Sequence, residues 1–171
     1  MPRAAPIRAA VAVIVDDRGW QKLVGDPEPL LRRAARAALA VARRPRGLKP
    51  GGTAALSVAL MGDRGVKRLN REFRGKDRPT NVLSFPAAMV PGRAAKARVD
   101  LGDVALALGV VRREAKAQGK SPADHLAHLM VHGVLHLLGY DHETDRDAER
   151  MERLERRALA ALGIADPYRL D

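Results

Sequence analysis

The sequence predicts an α/β (α+β) fold in which a mixed sheet of about four strands is flanked by about five helices. Short apolar, β-branched runs alternate along the chain with longer segments of helical periodicity, as in layered α/β architectures. The 171 residues match the length of one domain, and no repeat or linker divides them. Residues 122–138 are apolar on almost every side, which predicts a helix buried through the centre of that domain.

The N-terminal third of the chain predicts two strands and one helix. Residues 7–15 are apolar and predict a buried strand. A signal peptide is disfavoured there, because two aspartates follow the run at once and no A-x-A cleavage site appears. Residues 27–42 carry an apolar stripe at helical spacing, residues 43–52 are rich in Pro and Gly and predict a loop, and residues 54–61 predict a second strand.

The rest of the chain predicts two strands and four helices. The helix over 122–138 has a clear start, because Ser121 is a favoured N-cap residue and Pro122 is favoured at the first helical position. In chain order, we expect a helix from 63 to about 74 capped by Asp63, a strand at 81–85 stopped by Pro86, a mobile loop at 87–98, a strand at 101–108, and helices at about 109–118, 122–138 and 145–162.

The composition favours a polyanionic partner and a reducing compartment. Lys and Arg number 31 against 20 Asp and Glu, a formal net charge of +11, which favours nucleic acid unless it only reflects a general Arg and Ala bias. The absence of Cys excludes disulfides and thiolate ligands, and no apolar stretch approaches the ~20 residues of a membrane span. We therefore expect a soluble, cytoplasmic protein without a membrane partner. A base-stacking platform is not expected, because only five aromatic residues occur: Trp20, Phe73, Phe85, Tyr140 and Tyr168.

Three histidines have the spacing of a metal site. His132 and His136 are four residues apart, so a helix places both imidazoles on one face, one turn apart. Gly139 predicts the end of this helix, because glycine adopts the left-handed conformation without a steric penalty. The chain then turns back and His142 can supply a third nitrogen. Three histidines with an open fourth position are typical of catalytic zinc, so we expect one Zn²⁺ per chain, although the sequence does not identify the native metal.

The same segment differs from a zinc protease at one position. The metalloprotease pattern H-E-x-x-H-x-x-G-x-x-H is matched at the three histidines and at Gly139, but Gly133 stands where the glutamate that acts as general base is required. Peptide hydrolysis by that route is therefore unsupported. Two further histidines precede the motif on the same helical face. His128 either contacts a ligand or belongs to the core, and His125 is interpreted as structural.

A basic segment precedes the third predicted strand, and one of its residues is a candidate for phosphate binding. Most of these side chains fit a solvated helix face. Arg74 is the exception, because it ends the predicted helix before the turn that leads into the strand, where a guanidinium can hold a phosphate through two hydrogen bonds. The basic residues of this segment are Arg64, Lys67, Arg68, Arg71, Arg74, Lys76 and Arg78.

Three blocks of sequence resemble the YbeY family of bacterial endoribonucleases. They read LNREFRGKDRPTNVLSFP at 69–86, LGDV at 101–104 and HGVLHLLGYDH at 132–142, and the closing region at 162–168 is also similar. The resemblance covers roughly residues 50–168. It implies one metal-dependent endoribonuclease domain, with metal ligation at His132, His136 and His142 and an essential basic role for Arg74.

The resemblance also implies a substrate and partners. These are single-stranded RNA, action in rRNA maturation at the 3′ end of the small-subunit rRNA and in ribosome quality control, and a ribosomal particle or protein that presents the RNA, with no DNA partner expected. Two alternatives stay open: a non-catalytic, metal-stabilised RNA-binding protein of ribosome assembly, and a zinc hydrolase of another bond. Asp141 and Asp103 are candidate proton acceptors, although each also fits a turn or orienting role.

Overall fold

The computed structural model describes residues 4–88, 92 and 94–169, and these form four strands and six helices. The predicted α/β class with a mixed sheet is confirmed. The elements in chain order are β1 Arg8–Val15, α1 Gly19–Val24, α2 Glu28–Val41, β2 Leu48–Met61, α3 Asp63–Arg74, β3 Val82–Pro86, β4 Lys96–Ala107, α4 Leu108–Ala117, α5 Pro122–Leu137 and α6 Asp145–Ala161. No helix in the described part of the chain is long and apolar enough to cross a membrane.

The sheet has the strand order β1-β2-β4-β3. β1 and β2 run parallel, β2 and β4 run parallel, and β3 pairs with β4 in the antiparallel direction. The first strand forms as predicted, but the prediction that it is buried is wrong. β1 lies at an edge of the sheet, and Val11 is its only buried residue. Its apolar residues alternate between the face that packs on α2 and the solvent.

The predicted central helix is α5, and its burial is confirmed. Ten of its sixteen residues are buried, and it packs against α2, α4 and α6 as well as β3 and β4. The helix starts as predicted, because the Ser121 Oγ accepts a hydrogen bond from the Asp124 N–H at 3.1 Å and Pro122 occupies the first turn. Its apolar side chains join those of α2 and the sheet in the main core.

The helix α3 covers the opposite face of the sheet. Its Val66 packs in a small second cluster with Leu83 of β3 and Ala105 and Ala107 of β4. The bounds predicted for α3 are confirmed, but Asp63 does not cap it with its side chain. The Asp63 Oδ1 instead accepts hydrogen bonds from the backbone N–H groups that open α4, those of Gly109 at 2.8 Å and Val110 at 3.1 Å.

Two predicted loops contain strand, and one helix was not predicted. β2 begins at Leu48 and β4 begins at Lys96, both inside segments predicted as loops. The first residues of these two strands pair with each other through their main chains, and a register shift separates this pair from the rest of the ladder. Of the mobile loop predicted at 87–98, residues 89–91 and 93 lie outside the described residues. The short α1 escapes periodicity analysis because it has only six residues. It is held by the buried Trp20, whose Nε1–H donates to the Met61 carbonyl at 2.9 Å.

Candidate metal centre

The C-terminal half of α5 brings two imidazoles together as the spacing predicts. His132 and His136 lie one helical turn apart, and their Nε2 atoms are 2.9 Å from each other. The rings meet edge to face, with centroids 4.5 Å apart. Nitrogen ligands of a tetrahedral zinc ion bound at ~2.05 Å are separated by about 3.3 Å. The two Nε2 atoms are therefore near the separation that a shared ion requires.

The turn after α5 brings the third imidazole to the same place. Gly139 has a φ of 92°, its N–H donates to the His136 carbonyl at 3.0 Å, and the Tyr140 N–H donates to the Leu135 carbonyl at 3.1 Å. This pair of hydrogen bonds is a Schellman motif, which ends the helix and reverses the chain. The His142 ring then lies 5.5 Å from the His132 ring and 5.1 Å from the His136 ring, between centroids.

The three histidines can hold a metal ion. Each offers one ring nitrogen, and these nitrogens all lie within 4.8 Å of one another. Burial and the neighbouring imidazoles of His132 and His142 lower the pKa of His136 to about 4, so this ring is neutral near pH 7. A neutral imidazole is the form that binds a metal. A donor set of three imidazoles fits a divalent transition metal, in agreement with the sequence prediction.

A buried carboxylate lies directly behind this cluster. Glu155 of α6 is fully buried, and its Oε1 is hydrogen-bonded to the Nδ1 of His132. Its Oε2 is hydrogen-bonded to the Tyr168 hydroxyl and lies 3.4 Å from the His128 Nε2. Burial alone would raise the pKa of Glu155, but the hydrogen bonds from His128, His132 and Tyr168 outweigh it and lower the pKa to about 2.

Sequence analysis did not identify Glu155 or Tyr168. A signal for Glu155 is present, because helical spacing places it on the apolar stripe of α6 with Met151, Ala158 and Leu159, which are all buried. A glutamate on a buried stripe needs hydrogen-bonding partners, and histidines are suitable donors. The partner itself lies 23 residues away in the sequence, so only the fold identifies it.

The histidines line an open cleft of about 970 Å³, and Arg74 lines the same cleft. Gly75, with a φ of 67°, ends α3 directly after Arg74. The Nη2 of Arg74 donates to the Ser84 carbonyl at 2.8 Å, and its Cζ lies 5.8 Å from the centre of the Phe85 ring. The side chain is therefore anchored on β3 while the residue remains exposed to solvent. Lys76 and Arg78 add two more cations to the cleft wall.

Gly133, at the position of the protease glutamate, is packed closely against the sheet. A Cβ added at this position would lie 3.0 Å from the Val104 Cγ1 and 3.3 Å from the Ser84 Oγ. The Gly133 carbonyl accepts a hydrogen bond from the Ser84 Oγ at 3.0 Å, which fixes α5 against β3. The position that carries the general base in a zinc protease here faces the sheet. The structure therefore supports the sequence argument against peptide hydrolysis.

The remaining candidate residues have distinct positions. Asp141 lines the cleft, but its Oδ1 accepts from the Glu143 N–H at 3.2 Å, as in a turn. Asp103 is exposed on β4, where it pairs with Phe85 of β3. His125 is buried, and its Nε2 lies 2.7 Å from the Glu114 Oε2, which agrees with the structural role predicted for it.

A matching family model and two similar curated sequences indicate one family. The family model described as Endoribonuclease YbeY matches residues 21–163. A protein named Endoribonuclease YbeY from Alkalilimnicola ehrlichii is 54% identical over 145 residues, which cover 85% of this chain and 83% of that protein. Its namesake from Azorhizobium caulinodans is 50% identical over 162 residues, with 94% and 96% covered. A Thermotoga maritima protein solved in solution has a similar fold, with a TM-score of 0.51 at 22% identity over 94% of this chain and 99% of that one.

Proposed function

The chain belongs to the YbeY family of endoribonucleases, and from this premise we propose that it is a metal-dependent endoribonuclease whose ligands are His132, His136 and His142. The observation that carries the proposal is the convergence of three imidazole nitrogens in a cleft that Arg74 also lines. A metal site alone fits many proteins. A metal site beside an anchored guanidinium is suited to a phosphodiester.

The residues of the cleft have separate tasks in this proposal. The three histidines would hold the ion, which when bound would supply Lewis acidity toward a phosphoryl oxygen and toward water. Arg74 binds a phosphoryl oxygen of the scissile group and stabilises the negative charge that develops there. Its contact with the Ser84 carbonyl orients the guanidinium, so that little conformational freedom is lost when RNA binds.

The cations of the cleft favour a single strand with exposed phosphates. Arg74, Lys76 and Arg78 all line it, and the chain carries a formal net charge of +11. Such contacts position a backbone but do not read its sequence. We propose that the substrate is rRNA, in particular the 3′ end of the small-subunit rRNA, and that a ribosomal particle or ribosomal protein presents this end to the cleft in the cytoplasm.

We further propose Zn²⁺, one ion per chain, as the metal. Three imidazoles suit zinc, and the lack of Cys leaves nitrogen and oxygen as the available donors. Metal analysis of the purified protein tests this directly. One equivalent of metal in the wild-type protein, and loss of most of it in His136→Ala, is the expected result. Equal metal content in both proteins would show that the assignment of His136 as a metal ligand is wrong.

Cleavage of single-stranded RNA by the purified protein, with and without a chelator, tests the activity. We expect cleavage that disappears on chelation, returns when Zn²⁺ is added, and is absent in His136→Ala. A weak cleavage unaffected by the histidine substitution would come from a contaminant and would favour the non-catalytic assembly protein. Hydrolysis of a peptide substrate by the metal-loaded protein would favour the zinc hydrolase of another bond.

The proposed presentation of the RNA is tested by comparing two substrates. We expect specific cutting at the 3′ end when small-subunit rRNA is part of the assembled particle, and less specific cutting of the same rRNA in naked form. A single sharp cut in a short naked RNA would contradict the need for a particle, because the protein alone would then supply the specificity.

A further inference from the structure

Glu155 is a fully buried carboxylate surrounded by three hydrogen-bonding partners. His132 contacts one carboxylate oxygen, and His128 and the Tyr168 hydroxyl contact the other. Among the described residues, the basic groups within 4.0 Å of this carboxylate are these two histidines, without a Lys or Arg. A buried carboxylate is costly unless its lone pairs are satisfied. The hydrogen bonds to Glu155 therefore offset the free-energy cost of burying its charge, and they connect it to the histidines of α5.

The contact with His132 determines which of its nitrogens carries the proton. An ionised carboxylate only accepts hydrogen bonds, so the Nδ1 of His132 must donate. With this proton on Nδ1, the Nε2 is the nitrogen left to bind a metal, and it lies 2.9 Å from the His136 Nε2. A carboxylate on the far nitrogen of a ligating histidine fixes the ring and increases its basicity.

We propose that Glu155 and Tyr168 are positioning residues that hold His132 in its metal-binding tautomer and orientation, so that the C-terminal segment is part of the metal centre. The proposal rests on the metal role of the three histidines proposed above. Glu155 acts through His132, and Tyr168 acts through Glu155. Neither side chain lies in the histidine cluster itself.

The segment that carries Tyr168 is fixed to α6. The Asp166 Oδ1 accepts hydrogen bonds from the Tyr168 N–H at 2.8 Å and from the Arg156 Nε at 3.2 Å. The Cζ of Arg156 also lies 5.2 Å from the centre of the Tyr168 ring. The Tyr168 ring also packs edge to face with the His128 ring, with centroids 5.6 Å apart. These contacts hold the Tyr168 hydroxyl against Glu155, which in turn contacts the proposed ligand His132.

The affinity for Zn²⁺ tests the proposal, measured by competition with a chromophoric chelator. We expect Glu155→Gln to weaken Zn²⁺ binding by about 10-fold to 100-fold, the range found for groups behind a ligating histidine. Tyr168→Phe removes one oxygen atom and leaves the ring packing intact, so we expect a smaller loss of several-fold. Glu152→Gln is the matched control. It lies on the same helix and pairs with Arg156 at 3.8 Å, at a more exposed position, and it should bind Zn²⁺ like the wild-type protein.

The tautomer of His132 in the metal-free protein gives a second readout, because the contact with Glu155 places the proton on Nδ1. Nitrogen-15 NMR of the imidazole should find the Nδ1–H tautomer in the wild-type protein and in Glu152→Gln, and a mixture of tautomers in Glu155→Gln. If Glu155→Gln does not fold, Tyr168→Phe and the wild-type tautomer still decide the question. An Nε2–H tautomer in the wild-type protein would overturn the proposal.

The wild-type protein and His136→Ala separate the two proposals. If the wild-type protein fails to bind Zn²⁺, or if His136→Ala binds it equally well, the metal centre itself is wrong. If His136→Ala loses Zn²⁺ while folded Glu155→Gln and Tyr168→Phe keep wild-type affinity, the metal centre stands and the positioning role of Glu155 and Tyr168 is refuted.

Discussion

A methyl group added at Gly133 should destabilise the protein, although alanine is the better helix former. Replacing a helical glycine by alanine stabilises a helix by about 1 kcal/mol. At Gly133 the added Cβ would lie 3.0 Å from the Val104 Cγ1 and 3.3 Å from the Ser84 Oγ, and both belong to the sheet against which α5 packs. Overpacking a core by one carbon typically costs about 1–3 kcal/mol. We therefore expect Gly133→Ala to lower the free energy of unfolding by about 1 kcal/mol.

Gly65→Ala is the matched control, because it makes the same change in helix α3. There the nearest atom to the added Cβ is the terminal methyl of Met61, which a rotation about its flexible side chain can move away. The helix-forming advantage of alanine then dominates, and we expect Gly65→Ala to raise the free energy of unfolding by about 0.5 kcal/mol. Urea unfolding with excess chelator measures both variants without a contribution from bound metal.

The melting temperature should follow the same order, since 1 kcal/mol corresponds to about 2–4 °C in a domain of this size. Gly133→Glu, which completes the metalloprotease pattern, should cost about 4 kcal/mol or more, because it buries a larger charged side chain at the same contact. We expect no peptidase activity from it. If Gly133→Ala stabilises the protein as much as Gly65→Ala, the close approach of α5 to the sheet is not a constraint, and the reasoning is refuted.

Three further outcomes are expected. Arg74→Lys should keep metal content and stability but lose RNA cleavage, because one ammonium cannot hold the Ser84 carbonyl and also make a forked phosphate contact. Normal cleavage by this variant would show that Arg74 has no role in binding the scissile phosphate. The logarithm of RNA affinity should fall linearly with the logarithm of salt concentration, and Lys76→Ala should reduce the magnitude of the slope by about 0.7, the value for one phosphate contact. An unchanged slope would show that Lys76 does not contact an RNA phosphate. Burial, opposed by Glu114, lowers the pKa of His125 below 6.5. Below pH 6.5 the imidazole therefore binds a proton more readily in the unfolded chain, and the free energy of unfolding should fall as the pH drops. Urea unfolding should find a weaker pH dependence in His125→Gln, and a pH dependence equal to that of the wild-type protein would contradict this reasoning.

The convergence of the three histidines was predictable because its geometry is local. The four-residue spacing of His132 and His136 needs only the helical repeat, and the return of His142 needs only the left-handed conformation of Gly139. The central position of α5 was predictable for a related reason, since a helix that is apolar on all sides has to be covered on all sides. These inferences depend on contacts within one helix and its terminal turn.

The parts that were missed depend on contacts between distant segments. Asp63 looks like the cap of its own helix, but its carboxylate reaches the start of α4, 46 residues later in the chain. The edge position of β1 follows from the strand order, which the apolar run of β1 does not encode. Glu155 is satisfied by side chains of another helix and of the C-terminal segment. Helical periodicity could have placed it on a buried stripe, but it could not have identified its partners.

The close packing at Gly133 also connects the two halves of the proposed active site. The Gly133 carbonyl, next in the chain to His132, accepts a hydrogen bond from the Ser84 Oγ at 3.0 Å, and the Ser84 carbonyl accepts one from Arg74 at 2.8 Å. Two hydrogen bonds thus join the backbone of the helix that carries His132 and His136 to the guanidinium proposed to bind phosphate. We expect a large side chain at position 133 to push α5 away from β3 and to move the histidines away from Arg74. The close packing at Gly133 therefore contributes to the spacing between the proposed metal centre and the arginine proposed to bind phosphate.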